Sequence, residues 1–218
     1  MNKFNSIHEI KNFIIDLDSK RGNMVIRLMF GNGDKKQYKD INKLKKEVQE
    51  VAQYAPINRT ICLYFGDVPK EKEPDIGYIF EYLSKIRPDI IFIMIQIREM
   101  EKYGVPKFVN GGVYFHNDYD EKHKWGGFEY INGKFKVYSN TKQWLKLHIL
   151  LNKEKRKKGI SFCDLYGEGG DITKQELKLI DKLNNLGIDN ISEIIVNQFN
   201  LESRYKIQSK DWKDKTKI

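Results

Sequence analysis

Cysteine and proline are both scarce, two and five respectively among 218 residues. Cys62 and Cys163 each lie inside an apolar run that reads as a buried strand. That makes them small core residues and argues against a disulfide framework, a metal site or a redox role. Long apolar runs are missing as well: the longest, Ile90 to Ile97, is interrupted by Gln96 and falls far short of the roughly 20 residues a spanning helix needs. The first twenty residues carry Glu9, Asp16 and Asp18 instead of a signal-peptide core, so the expectation is a cytoplasmic chain with no membrane partner. Acidic residues are the third shortage, 30 against 39 Lys and Arg, which leaves a net charge of +9. A basic chain attracts polyanions. The surplus is almost all lysine, however, in a chain also rich in Asn and Ile, the pattern AT-rich codon usage imposes on any protein. Charge alone does not choose the function.

What is present suffices for a packed core. Hydrophobic residues make up 40% and aromatics 12% of the chain, which excludes intrinsic disorder for most of it, and neither a collagen-like nor a low-complexity pattern occurs. A helix opens at Ser6-x-x-Glu9, a capping box, with Ile7, Ile10, Ile14 and Leu17 on one face. Met24 to Phe30 reads as a strand closed by Gly31-Asn32-Gly33-Asp34. Asp40 caps a helix through Ile41, Leu44, Val48 and Val51. Thr60 to Phe65 is a strand that stops at Gly66-Asp67, Asp75 caps a helix through Ile79, Phe80 and Leu83, and Ile90 to Ile97 follows as a strand. Strands that are apolar throughout and alternate with helices indicate a parallel sheet covered on both faces, a doubly wound, three-layer α/β fold.

The pattern changes at Gly104 to Tyr138. Phe128 to Ile131 and Lys134 to Tyr138 flank Asn132-Gly133, a pair that supplies the positive φ angles of a hairpin turn. Helical periodicity resumes at Asn140-x-x-Gln143 with Trp144, Leu147 and Leu151, and runs into the basic stretch Lys153 to Lys158. Ile160 to Tyr166 is a fourth core strand, Thr173-x-x-Glu176 opens another helix, and Ile188 to Phe199 adds a strand or half-helix. The expected organisation is one α/β domain over 1–202 with a β-ribbon insertion at about 104–138, then a frayed basic tail over 203–218.

In doubly wound sheets ligands bind beyond the carboxyl ends of the strands, where helix N-termini favour anions. Gly31 to Asp34, Gly66-Asp67 and Gly167 to Thr173 occupy such places, and Gly31, Gly33, Gly66, Gly169, Gly170 and Thr173 are the candidate phosphate ligands. Glycine lets the backbone approach a phosphate closely, and a threonine hydroxyl can donate to it. The same Thr173-x-x-Glu176 also reads as a capping box and Gly169-Gly170 as an ordinary strand-to-helix turn. Gly169-Gly170-x-x-Thr173-x-x-Glu176, after an apolar strand and at the start of a helix, resembles the Pro-Gly-Gly-x-Gly-Thr-x-x-Glu motif. That motif marks the Rossmann-like superfamily of the LOG-type phosphoribohydrolases and the DprA-like DNA-binding proteins. Glu168 stands where the motif has Pro, and Ile172 where it has its third Gly. The resemblance implies a loop that holds a nucleotide's phosphate and ribose, Glu176 as the catalytic carboxylate with Arg156 as its upstream partner in N-glycosidic cleavage, and a homodimer. Asp67 and Asp171 are further candidate carboxylates, Asp67 being placed with Glu176 and Arg156 in the catalytic set.

Two other groups carry weaker chemistry. His116, Asp118, Asp120, Glu121 and His123 contain metal-ligand types at a spacing that fits no metal motif, so a solvated polar turn is expected and no metal or cofactor is assigned. Tyr130 and Tyr138, facing outward beside Lys134 and Lys136, would form a stacking platform for nucleic acid. The leading expectation is a protein that binds a nucleotide-like small molecule. The alternative is a non-enzymatic nucleic-acid-binding or scaffold protein that uses the ribbon, the run 153–158 and the tail, and a fold kept after its active site decayed is a third.

Overall fold

β-Branched and aliphatic runs too short for helices become strands here, and the intervening segments with a 3.6-residue period become helices. A computed structural model describes residues 1–18, 24–29, 41–55, 57–66, 76–132, 134–158, 161–166, 178–179 and 206–208. The strands are β1 (Asn2–Phe4), β2 (Met24–Met29), β3 (Thr60–Tyr64), β4 (Ile91–Ile97), β5 (Gly112–His116), β6 (Gly127–Ile131), β7 (Lys134–Tyr138), β8 (Ser161–Tyr166) and β9 (Lys206–Gln208). The helices are α1 (Ile7–Asp18), α2 (Ile41–Tyr54), α3 (Ile76–Ile86) and α4 (Ser139–Lys158), with a 3₁₀ turn at Arg98–Tyr103 after β4. Seven strands form one sheet in the order β1-β5-β4-β3-β2-β8-β9, and every pairing in it is parallel. The fold is therefore α/β.

All five residues of β3 are buried, as are the last six of β4, which accounts for their unbroken hydrophobicity: a strand covered on both faces has no side to leave polar. Their side chains divide by parity. Ile61, Leu63, Ile93 and Ile95 pack with Ile10 and Ile14 of α1 and Trp144, Leu147 and Leu151 of α4. Cys62, Tyr64, Phe92 and Met94 pack with Val48 and Ala52 of α2 and Ile79, Phe80 and Leu83 of α3. Cys62 is a buried thiol, 1% exposed, in that second core. An aromatic cluster of Tyr64, Phe80, Phe92 and Phe108 fills it, with ring centroids 4.7 to 6.4 Å apart.

The cap expected at Ser6 forms, with the reciprocal bond displaced by one residue to Asn5. Glu9 N donates to Ser6 Oγ at 3.3 Å, while the Glu9 carboxylate reaches back to the Asn5 N–H at 2.9 Å. At the amino edge of the sheet Arg87 donates to the carbonyls of Ala52 and Ala55, which close α2, and to Asp89 through Nε at 2.7 Å and a terminal nitrogen at 2.8 Å. Asp89 also accepts the Asn58 N–H at 2.8 Å. One ion pair thus ties the end of α2, the turn before β3 and the start of β4 together.

Three sequence expectations change. The segment 104–138 is not all ribbon: Gly112–His116 enters the main sheet as β5 between β1 and β4, and the antiparallel pair β6–β7 accounts for 127–131 and 134–138 alone. Asn2–Phe4 is also a strand, parallel to β5. Within the expected frayed tail, Lys206–Gln208 pairs with β8. The helix expected from Thr173 lies outside the described residues except for Lys178 and Leu179, which are helical. The segment Ile188 to Phe199 lies wholly outside them.

Candidate functional site at the carboxyl edge of the sheet

Because all seven strands run the same way, their carboxyl ends share one edge of the sheet. Gln96, near the end of β4, is the polar residue that interrupts the apolar run, and it is 0% exposed. A buried amide must find partners, and Gln96 finds four. Its Nε2 donates to the carbonyls of Phe65 at 3.0 Å and Gly66 at 3.3 Å. Its Oε1 accepts the Ile97 N–H at 2.9 Å and Asn140 Nδ2 at 2.7 Å. Asn140 Oδ1 then lies 2.8 Å from His116 Nε2. A continuous polar chain thus runs from the loop after β3, across β4, to the end of β5, bridged by the first turn of α4.

The donors and acceptors in this chain leave one solution. Backbone carbonyls only accept and a backbone N–H only donates, so the Gln96 amide orientation is set at both ends. Asn140 must then present its nitrogen to Gln96 and its oxygen to His116. That oxygen requires a proton on His116 Nε2, which in a neutral imidazole leaves Nδ1 as a bare lone pair. Burial pushes the His116 pKa below its ordinary value, outweighing the bond to Asn140, so the neutral ring is favoured. His116 is 1% exposed, and its Nδ1 has no hydrogen-bond partner among the described residues. Ser139 Oγ, at the first residue of α4 and also buried, has none either. An unpaired buried polar atom costs about 1–3 kcal/mol, so each of these two atoms departs from the rule that buried polar groups are hydrogen-bonded.

The start of α4 explains why these residues meet. Strand β7 passes into α4 with no intervening loop, and Ser139 makes the turn with φ of 44°, a backbone region a non-glycine residue enters rarely. Gly126 and Gly127, at φ of 141° and 122°, bring the base of the hairpin against the same turn. Gly127 N donates to Thr141 Oγ1 at 2.9 Å, and any Cβ on Gly126 would collide with that hydroxyl. Asn140 and Gln143, both buried, are thereby brought to the end of β5: Gln143 Nε2 donates to Asp118 and Lys142 Nζ lies 2.6 Å from Asp118 Oδ1. Lys146 stands 3.9 Å from the other oxygen. Burial raises the Asp118 pKa, but Lys142, with Lys146 behind it, holds the carboxyl below its ordinary value. Burial lowers the pKa of Lys146, and neighbouring Lys142 adds to the effect.

The candidate metal residues separate. His116 and Asp118 turn to α4, whereas His123 stacks on Tyr138 with centroids 4.2 Å apart and lies 3.3 Å from Glu129. Asp120 accepts the His123 N–H. Among the described residues no three His, Cys, Asp or Glu side chains gather as a metal set. Glu129 also accepts from Lys122 and from the Tyr138 hydroxyl, and these bonds, Lys122 foremost, hold its carboxyl at about 2.

The stacking platform fails on parity. The two-residue turn pairs Tyr130 with Phe135 and Gly127 with Tyr138, so partners across the hairpin have opposite parity and the two tyrosines take opposite faces. Tyr130 is 42% exposed, while Tyr138 is 6% exposed beneath His123.

Of the phosphate and catalytic candidates, Gly66 is described. Its carbonyl accepts from Gln96, and a Cβ there would meet the Tyr64 ring. Arg156 lies on the last turns of α4, within the basic run, its side chain outside the described residues. Gly31, Gly33, Asp67, Gly169, Gly170, Asp171, Thr173 and Glu176 also lie outside them. Sequence reasoning missed the Gln96–Asn140–His116 chain, although a polar residue inside a strand buried on both faces was its signal.

An α/β protein with a buried polar chain at the carboxyl edge of a parallel sheet is the class these observations define. No family model matches the chain, and no significant match is found among curated proteins or solved structures. No helix among the described residues is long and apolar enough to cross a membrane.

Proposed function

We propose that this chain binds a nucleotide or phosphorylated nucleoside along the carboxyl edge of a Rossmann-like, doubly wound, three-layer sheet carrying a β-hairpin insertion. The supporting observation is the strand order. From β2 the chain proceeds to β3, β4 and β5 on one side, whereas β8 and β9 lie on the other. The order reverses between β2 and β8, and such a reversal opens the crevice in which doubly wound sheets take their ligands. Met29 and Tyr166, the last residues of these two strands, are register partners. The segments that begin with Gly31-Asn32-Gly33 and Gly167-Glu168-Gly169-Gly170 continue directly from them.

In this reading Gly31, Gly33, Gly66, Gly169, Gly170 and Thr173 contact phosphate. Glu176, Asp67 and Arg156 form the catalytic set of an N-glycosidic cleavage, in which a carboxylate stabilises positive charge developing on the sugar. A homodimer and contacts of the 153–158 run with a polyanion belong to the same proposal.

A thermal-shift titration with adenosine 5′-monophosphate and with a short oligonucleotide, each at two salt concentrations, tests it. The expected result is a rise in Tm with the mononucleotide that survives salt and is lost in Gly170→Trp. A response to the oligonucleotide alone, abolished by moderate salt, would replace this reading with nucleic-acid binding through the basic run and tail.

A further inference from the structure

We propose that Lys146 is a site of direct acylation, its amine taking an acyl group from an acyl phosphate or an acyl thioester without the help of an enzyme. Two ammonium groups here share too few acceptors. Lys142 and Lys146 stand one turn apart on α4 and meet the same carboxylate, Asp118, just past the end of β5. That carboxylate is already engaged: Lys142 Nζ bonds Oδ1 at 2.6 Å, and Gln143 Nε2 bonds Oδ2. Lys146 Nζ is left 3.9 Å from Oδ2, beyond hydrogen-bond reach. Like charges four residues apart on a helix also repel one another.

Such an amine gives up its proton more readily than an ordinary lysine. Burial is the first cause, since a side chain only 30% exposed has lost much of the water that would solvate an ammonium. Lys142 adds repulsion and Asp118 only partly opposes the two, so the Lys146 pKa falls below its ordinary value. These are the charged groups that act on Lys146; α1 and the strands beneath α4 add none. His116, which faces the cluster from β5, is itself kept neutral by burial. A desolvated lysine beside another cation is a nucleophile. The remaining exposure lets a small acyl donor meet the amine from solvent, with no cavity needed. The neutral nitrogen attacks the acyl carbon and a C–N bond forms. The bond to the phosphate oxygen or thioester sulfur breaks with its electron pair on the leaving group, and the extra proton on nitrogen passes to water. The amide product is uncharged. Two ammonium groups against one carboxylate become one against one, and Asp118 keeps its bonds to Lys142 and Gln143.

The test is trace labelling of the full chain at neutral pH with acetyl phosphate and, separately, with acetyl coenzyme A, the uptake at each lysine being read by peptide mass spectrometry. Lys146 should gain acetyl several times faster than Lys142, which the short bond ties to Asp118, and than Lys85, which is 68% exposed and paired with Glu81. Lys142→Met removes the repelling ammonium and frees Oδ1 for Lys146, so labelling of Lys146 should fall. Asp118→Asn removes the carboxylate that holds its proton, so labelling should rise. Loosening of the helix would expose Lys146 in both variants and does not produce opposite changes. Uptake at Lys146 no faster than at Lys85 with either donor, or variants that fail to move it in opposite directions, would overturn the assignment.

Discussion

The Arg87–Asp89 pair offers a stability test whose size can be worked from the structure. Asp89 is 17% and Arg87 13% exposed at the side chain. The carboxyl is held at about 2 against an ordinary 3.8, chiefly by the bonds from Arg87, with the Asn58 N–H adding to them. At about 1.4 kcal/mol per tenfold change in proton affinity, this corresponds to about 2 kcal/mol of folding free energy. The folded-state pKa lies below the unfolded one, so this stabilisation is complete above the ordinary carboxylate range and disappears as pH falls through the folded value. Roughly half should be gone at pH 3. Asp89→Asn should therefore unfold at lower urea concentration at pH 7, with a deficit of about 2 kcal/mol, and the deficit should shrink to about 1 kcal/mol at pH 3. Urea titrations of both proteins at the two pH values, with m held common, measure it. An equal deficit at both pH values would show that shape and neutral hydrogen bonds carry the effect, and the electrostatic reasoning would be wrong.

Three further outcomes are expected. Trp144, 0% exposed in the core between α1, α4 and the sheet, should cost about 3–5 kcal/mol as Trp144→Ala in chemical denaturation; a loss under 1 kcal/mol would mean that the site collapses. Gly126→Ala places a Cβ against Thr141 at φ of 141° and should lose about 1–3 kcal/mol in the same assay; wild-type stability would show that the turn relaxes. Lys122→Ala should raise the Glu129 carboxyl from about 2 toward the ordinary range by more than Tyr138→Phe does, because the Lys122 bond is the largest cause of its depression. Carboxylate ¹³C titration reads both, and the reverse order would contradict the hydrogen-bond assignment.

The elements that sequence reading recovered are those whose burial is uniform. β3 and β4 announce themselves because both faces are covered, and the β6–β7 hairpin because Asn132-Gly133 allows the tight turn. β1 is missed because three residues with exposed Asn2 and Lys3 carry no periodicity. β5 is missed because Gly111 and Gly112 introduce it. The glycines suggest a loop, yet their bare Cα atoms are what let the strand pass Ile91, Phe4 and the Asn2 carbonyl. At the site, Asn140 and Gln143 look like helix-start residues, and only the arrival of β4 and β5 turns them into partners of His116 and Asp118. Local sequence carries capping, but it does not say which distant strand end will compete for the same amide.

The join between β7 and α4 makes the hairpin and the helix a single lever. Ser139 alone separates the strand from Asn140, and the Gly127–Thr141 bond braces that turn, so the geometry of the polar chain is set at the base of the ribbon and not at its tip. The ribbon can therefore grow or shorten at Asn132-Gly133 without disturbing the polar chain, whereas a single residue inserted between Tyr138 and Asn140 would rotate the helix by about 100° and carry every side chain of its first turn away from the sheet edge.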